Sequence, residues 1–369
     1  MLWYVIICIL LLYPLLLVFL GHYIGRNAIK IALFFGCFTL WFFMAMRSVT
    51  VGVDTQNYAY VFQQFENIPF SRVFTAVTYG SAKENWVFDF EPGYRLLNKI
   101  VSFFCAAPQT ITIVNSTIII LLLYRLIQKY SLNCFLSLWL YVTLGIFQTE
   151  MNVTRNAIAI LIVYNCFDYI AQGKMAKYLL SCVVGSLFHT AALAFIPLYW
   201  IVRYYKPSFN KSLILVGVFV AIGLFSQVLS FFLKSFLPIS LARYFIQGNE
   251  KISSLMVGIF NMALFMMIYL LLGKGKRENL FKEYKLGAVL LTINLCFFGL
   301  NISLDYAARM AALFGPYLII FIPQMIDLFD SSAKRTKVSV LVAVLCGAQY
   351  ILRMCVNNIG GTMPYSFFF

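Results

Sequence analysis

The sequence predicts an all-α fold: a polytopic bundle of transmembrane helices with about ten full spans, one broken hairpin, and an outer loop carrying an interfacial helix. Three observations predict it. Hydrophobic residues fill 62% of the 369 positions and charged residues only 11%; the mean hydropathy is +0.86; and charge-poor stretches near the length of a bilayer crossing recur between short basic loops. A soluble globule is excluded, and the whole chain, 1–369, reads as a single integral membrane domain.

The first apolar stretch, 2–20, has no charge, no basic residue before it and no small-residue cleavage site after it, so it is expected to be retained as a span. Further apolar segments lie near 31–46, 108–124, 132–148, 156–171, 178–202, 212–233, 254–273, 286–302, 306–328 and 338–354. Between them, the loops 21–30, 125–131, 172–177, 203–211, 274–285 and 329–337 hold 17 of the 28 Lys and Arg residues. Short basic loops mark the cytoplasmic side. This orientation leaves the N-terminus, the loop 47–107 and the C-terminal tail outside. In that loop, apolar positions 96, 97, 100, 101, 103 and 104 follow a helical stripe with polar residues opposite, which reads as a helix lying in the interface.

Segment 178–202 is flanked by basic loops on both sides, so its two ends belong on the same face, yet its length is too short for two crossings. A broken hairpin with His189 at its apex satisfies both facts. Non-helical backbone at membrane depth is tolerated where it lines protein or a wet cavity. A single tilted helix, with a span miscounted elsewhere, is the alternative.

The net charge of +15 is spread over short loops with no aromatic-basic groove, which argues for membrane lipids and against nucleic acid. Nine cysteines, at 8, 37, 105, 134, 166, 182, 296, 346 and 355, form no C-x-x-C pair, and the only histidines are His22 and His189. Neither a disulfide framework nor a metal site is expected, and no cofactor. No P-loop or dinucleotide fingerprint is present.

Ionisable groups in apolar stretches are costly and are functional candidates for that reason. Arg47, Arg155, Arg309 and Arg353 each fall near the outer end of an apolar segment. Their forked donors suit phosphate oxygens, although any one of them could instead be a snorkelling anchor. Most carboxylates share that side, and Asp54, Glu91, Glu150, Asp305 or the imidazole of His189 could take a proton from an acceptor hydroxyl. Asp305 and Arg309 are spaced i,i+4, which a local ion pair would also explain.

The same residues carry a resemblance. Arg47-x4-Gly52-x-Asp54-x3-Tyr58, then Glu91-Pro-Gly93-Tyr94, Arg155-Asn-Ala-Ile-Ala, Phe188-His189-Thr190-Ala and Met363-Pro364-Tyr365-Ser-Phe-Phe resemble, in that order, the EpsG/Wzy-type family of bacterial polysaccharide polymerases. The family pattern has Arg-Gln where this chain has Arg155-Asn156. The resemblance implies a glycosyltransferase of the bacterial inner membrane, active on its outer face. It would transfer a glycan from undecaprenyl diphosphate to the terminal sugar of another lipid-linked repeat unit, by an inverting, metal-independent reaction. Taken with the charges read above, the expected site has catalytic roles among His189, Asp54, Glu91 and Glu150, diphosphate binding by Arg47, Arg155, Arg309 and Arg353, and substrate contacts from Tyr58, Tyr94, Asn152, Asp305 and Tyr365. A chain-length regulator protein is an expected partner beside the lipid-linked oligosaccharide. Two rivals stand beside this reading. Asp89-Phe-Glu91 resembles the metal-binding acidic pair of GT-C type glycosyltransferases, and a lipid-linked glycan flippase would share the hydrophobicity but not charges kept at segment ends.

Overall fold

A computed structural model describes residues 26–74, 90–233, 250–356, 358 and 360–369; the expected first span at 2–20, His22 and Asp89 lie outside them. Among the described residues the regular secondary structure is all helical, apart from an isolated antiparallel bridge between Arg47 and Phe367. The chain forms two compact units, Met1–Tyr199 with Ala343–Phe369, and Trp200–Val342.

The first unit contains α1 (Arg26–Ala45), α2 (Thr55–Gln64), α3 (Pro92–Phe104), α4 (Pro108–Tyr130), α5 (Cys134–Thr143), α6 (Ile146–Asn152), α7 (Thr154–Tyr164), the single turn α8 (Asp168–Ala171), α9 (Met175–Ser186) and a 3-10 turn over Thr190–Phe195. Helix α4 is its axis and packs against α1, α2 and α7, while α9 packs against α7. Local chemistry sets several boundaries. Pro92 and Pro108 start their helices at the position where a missing N–H is harmless and the fixed φ is already helical. Asn133 caps α5 by accepting from the Leu136 amide at 3.0 Å. Gly145, at φ 77°, supplies the left-handed residue that bends α6 away from α5 by 59°.

Helix α10 (Leu198–Tyr204) leads into the second unit, which contains α11 (Phe209–Leu233), α12 (Glu250–Leu271), α13 (Lys274–Glu283), α14 (Lys285–Leu300), α15 (Asp305–Phe314), α16 (Leu318–Asp327) and the first part of α17 (Ser332–Tyr350). Here α14 is central, packed by α11, α12 and α15. Buried polar groups bind its neighbours: Asn294 donates to the Ala311 carbonyl at 2.8 Å, and Thr292 bonds Ser212 at 3.0 Å.

Six described helices are long and apolar enough to cross a membrane, or eight if each bent pair is one span. The expectation of about ten full spans is corrected accordingly. The expected span at 132–148 is the bent α5–α6 pair, and that at 156–171 ends at Tyr164 after one eleven-residue helix. The physical reason is visible in α7. Ala157, Ile158, Ala159, Ile160, Leu161, Val163 and Tyr164 are all buried in protein. Apolarity reports exclusion from water, and a helix surrounded by other helices satisfies it as fully as one surrounded by lipid.

Candidate functional site

The site begins with how α3 docks on the break after α9. Gly93 sits so close to Leu187 that a Cβ would lie 2.8 Å from the Leu187 carbonyl oxygen and 2.7 Å from its Cβ. The adjacent Tyr94 amide donates to that same carbonyl at 3.1 Å. Glu91, in extended conformation just before α3, makes no capping bond with its side chain. Its carboxylate turns instead toward α7 and the residues after the break.

There it meets Arg155. Arg155 Nη1 lies 2.6 Å from Glu91 Oε2, with the two side chains only 19% and 12% exposed. Glu91 Oε1 accepts from the Thr190 amide at 3.2 Å and is 3.9 Å from His189 Nδ1. The guanidinium lies over the Phe90 ring at 4.1 Å and within 6 Å of the Tyr58 and Tyr94 ring centres, at 5.8 and 5.9 Å. Tyr94 is fully buried, and its hydroxyl accepts from Asn115 Nδ2 at 2.7 Å. An arginine in the first turn of a helix is opposed by the helix dipole, so tertiary partners must hold it there. The carboxylate and three aromatic faces do so. His189 has a local task as well: its Nδ1 accepts from the Ala191 amide at 3.1 Å, capping the 3-10 turn.

Glu91, Arg155, His189, Tyr58 and Tyr94, drawn from four separate stretches of sequence, thus converge. The other candidates of the first unit have different surroundings. Arg47 is buried to 1% exposure, and its two terminal nitrogens donate to the carbonyls of Met44 and, at 2.8 Å, Met151. It joins the ends of α1 and α6. Asn152 accepts from the Val53 amide at 2.7 Å and donates to the Gly360 carbonyl at 2.8 Å, tying together the turn at Gly52, where φ is 98°, and the C-terminal segment. Tyr365 donates to the Phe43 carbonyl at 2.6 Å. Glu150 is buried and accepts from the Tyr141 hydroxyl at 2.6 Å. Arg353 reaches the Leu144 carbonyl at 3.4 Å. Asp54 stands half-buried ahead of α2 without a capping bond. Asp305 and Arg309 belong to the second unit; both are exposed, and Arg309 lies 5.1 Å from the Tyr306 ring centre.

Sequence reasoning missed Phe90, Asn115 and Arg95. Phe90 is the closest aromatic face to Arg155, and its position between Asp89 and Glu91 was the available signal. Asn115 was detectable as a buried amide inside a charge-free span. Arg95, one helical turn after Glu91 with its amide bonded to the Glu91 carbonyl at 2.9 Å, is only 7% exposed. Among the described residues no group of three His, Cys, Asp or Glu side chains is arranged to hold a metal ion.

The cluster has the chemistry of an anion site: a guanidinium among three aromatic rings, paired with one carboxylate, carries the forked donors that suit phosphate oxygens. Among protein-family models, that of the EpsG family matches residues 30–367. Neither the curated proteins nor the solved structures yielded a match.

Proposed function

The chain belongs to the EpsG family, and from that premise we propose that it is the polymerase of a bacterial surface polysaccharide. It transfers a growing glycan from undecaprenyl diphosphate to the terminal sugar of a second lipid-linked repeat unit, at the outer face of the inner membrane. At the coarser level this is a membrane-embedded protein of polysaccharide-polymerase type; donor, direction and side are the proposal.

The observation that carries the proposal is the Arg155–Glu91 pair, 2.6 Å long and enclosed by Tyr58, Phe90 and Tyr94. Glycosyl transfer from a diphosphate carrier leaves negative charge on the departing diphosphate. A preorganised guanidinium in a partly dehydrated site stabilises that charge more than water does. The rings suit the task in a second way, because sugar rings present C–H faces that lie flat on aromatic side chains. Inversion at the anomeric carbon needs only an attacking hydroxyl opposite the leaving group and a base to take its proton.

The test is elongation by purified protein in liposomes supplied with lipid-linked repeat units. Wild type builds a ladder of products. Arg155→Ala, if it retains the wild-type melting temperature, loses that ladder. Unchanged product lengths from the variant would overturn the proposal.

A further inference from the structure

We propose that Glu91 is the base of the transfer reaction, that Arg155 masks it until the donor's diphosphate claims the guanidinium, and that His189 takes part as a hydrogen-bond donor through Nε2. The inference rests on the polymerase reading and assigns roles within that site.

The assignment of His189 follows from one bond. A neutral imidazole carries a single ring proton, and the nitrogen without it is the acceptor. His189 Nδ1 accepts from the Ala191 amide at 3.1 Å, so the proton sits on Nε2. An Nε2–H can donate to a sugar or phosphate oxygen but cannot take a proton. Moving the proton to Nδ1 would set two N–H groups against each other and remove the cap of the 3-10 turn.

Glu91 has the complementary property. In the resting site Oε2 is held by Arg155 at 2.6 Å and Oε1 by the Thr190 amide at 3.2 Å. A diphosphate carries more charge than one carboxylate and matches the guanidinium fork with two oxygens, so it outcompetes Glu91 for Arg155. Arg155 need not move in the exchange, because Phe90 at 4.1 Å, with Tyr58 and Tyr94 just beyond, encloses it independently of Glu91. Glu91 cannot drift far either, since Gly93 and the Tyr94 amide fasten the start of α3 to Leu187. Binding of the correct anion therefore frees the base beside it. The other carboxylate candidate enclosed in this unit, Glu150, is buried at 5% exposure and accepts from Tyr141, with no ion-pair partner among the described residues to be exchanged.

The acceptor sugar's hydroxyl gives its proton to Glu91 Oε2, and the oxygen forms a bond to the donor's anomeric carbon. The bond between the anomeric carbon and the bridging oxygen of the diphosphate breaks, and its electron pair leaves on that oxygen, with the diphosphate held by Arg155. Protonated Glu91 then releases its proton to solvent as the diphosphate departs, and the ion pair re-forms. Among the described residues, Arg155 at 2.6 Å and His189 at 3.9 Å face Glu91, Arg95 lies near it one turn on, and Tyr58 and Tyr94 face Arg155.

The experiment uses the full chain in liposomes with lipid-linked repeat units, reading turnover, donor KM and the pH profile of kcat. Glu91→Gln is expected to lower kcat by about 10²–10⁴-fold, the range for loss of a general base, without raising the donor KM. Glu91→Ala is expected to regain turnover when formate is added as an external base, whereas Arg155→Ala does not respond to formate. His189→Gln keeps a donor and stays within about tenfold of wild type, the scale of one hydrogen bond. Turnover of Glu91→Gln within tenfold of wild type, or formate failing to rescue a folded Glu91→Ala, would overturn the assignment. Loss of the acidic limb of the pH profile in His189→Gln would transfer the role of base to the histidine. If wild type itself makes no polymer, the polymerase reading fails, which is a separate outcome.

Discussion

Arg155 and Arg47 show what a single residue's partners decide. Both are arginines beside apolar segments, and both raise the same suspicion, because a cation in such surroundings is costly and must be compensated. Arg155 is compensated by a carboxylate side chain and by three aromatic rings, one of which, Tyr58, also hydrogen-bonds it through its hydroxyl. Arg47 is compensated by two backbone carbonyls, which have nowhere to go. The two are therefore expected to fail differently. Arg155→Lys should keep the wild-type melting temperature and lose at least about tenfold in kcat/KM, because an ammonium is a point charge and cannot supply two parallel donors. Arg47→Ala should destabilise by about 3 kcal/mol, the scale of breaking a buried charged hydrogen-bond set, and this is read in a thermal melt in detergent. If Arg47→Ala melted like wild type but did not polymerise, Arg47 would belong in the chemistry. Spacing and hydropathy made both residues legible; the distant partners, Glu91 for Arg155 and Met151 for Arg47, lie 64 and 104 positions away, and no local pattern encodes them.

At the scale of elements, the site is a matter of two helix ends meeting, and Gly93 is the hinge of that meeting. A methyl group there would press on the Leu187 backbone, which cannot rotate aside as a side chain can. Gly93→Ala should thus open the contact between α3 and the break, separate Glu91 from Arg155, and reduce turnover at least about tenfold while α4 and α1 still pack. Trypsin resistance and melting near wild type with lost activity would support this; full activity would contradict it. The opposite end of α4 offers a pH test. Asp168, outside the spanning helices, accepts from Lys129 Nζ at 2.6 Å, Tyr130 Oη at 2.9 Å and Gln172 Nε2 at 3.1 Å. Partial burial pushes its carboxyl up, but the bonds from Lys129 and Tyr130 outweigh this and hold it below the usual range. A depressed folded value means stability present at neutral pH and lost as pH falls through the carboxylate range. Asp168→Asn should lower stability by about 1 kcal/mol at pH 7, a figure set by its solvent access, and by nothing once the wild-type carboxyl is protonated. A deficit that persists in acid would mean the asparagine harms packing instead. The short helices were the least legible elements. The apolar run 156–171 looks like a crossing because its residues avoid water, yet α7 is buried by its neighbours, and where that run ends is set by packing with α4 and α9.

At the scale of the whole molecule, composition made the class plain, and the structure agrees: large apolar side chains such as Phe34, Leu121, Ile214, Ile259 and Leu270 are exposed, as a surface facing lipid requires. Within the first unit, α4 runs from Gln109, which donates to the carbonyls of Ala45 and Arg47 at 2.6 and 3.1 Å, to Lys129 beside Asp168. Its 23 residues reach about 35 Å, enough to cross the hydrocarbon core. With the basic loops inside, Asn57→Cys should react with a membrane-impermeant maleimide on intact cells and Lys174→Cys only after permeabilisation, in a chain whose exposed Cys105 is replaced. The reverse pattern would turn the proposed orientation over. The central claim, that this chain joins lipid-linked repeats with Arg155 holding the departing diphosphate, is tested most directly by counting products. Purified protein in liposomes should release one undecaprenyl diphosphate for each repeat unit joined, and Arg155→Ala should abolish both in parallel. Chain growth that proceeds without carrier release, or at the wild-type rate in Arg155→Ala, would contradict it.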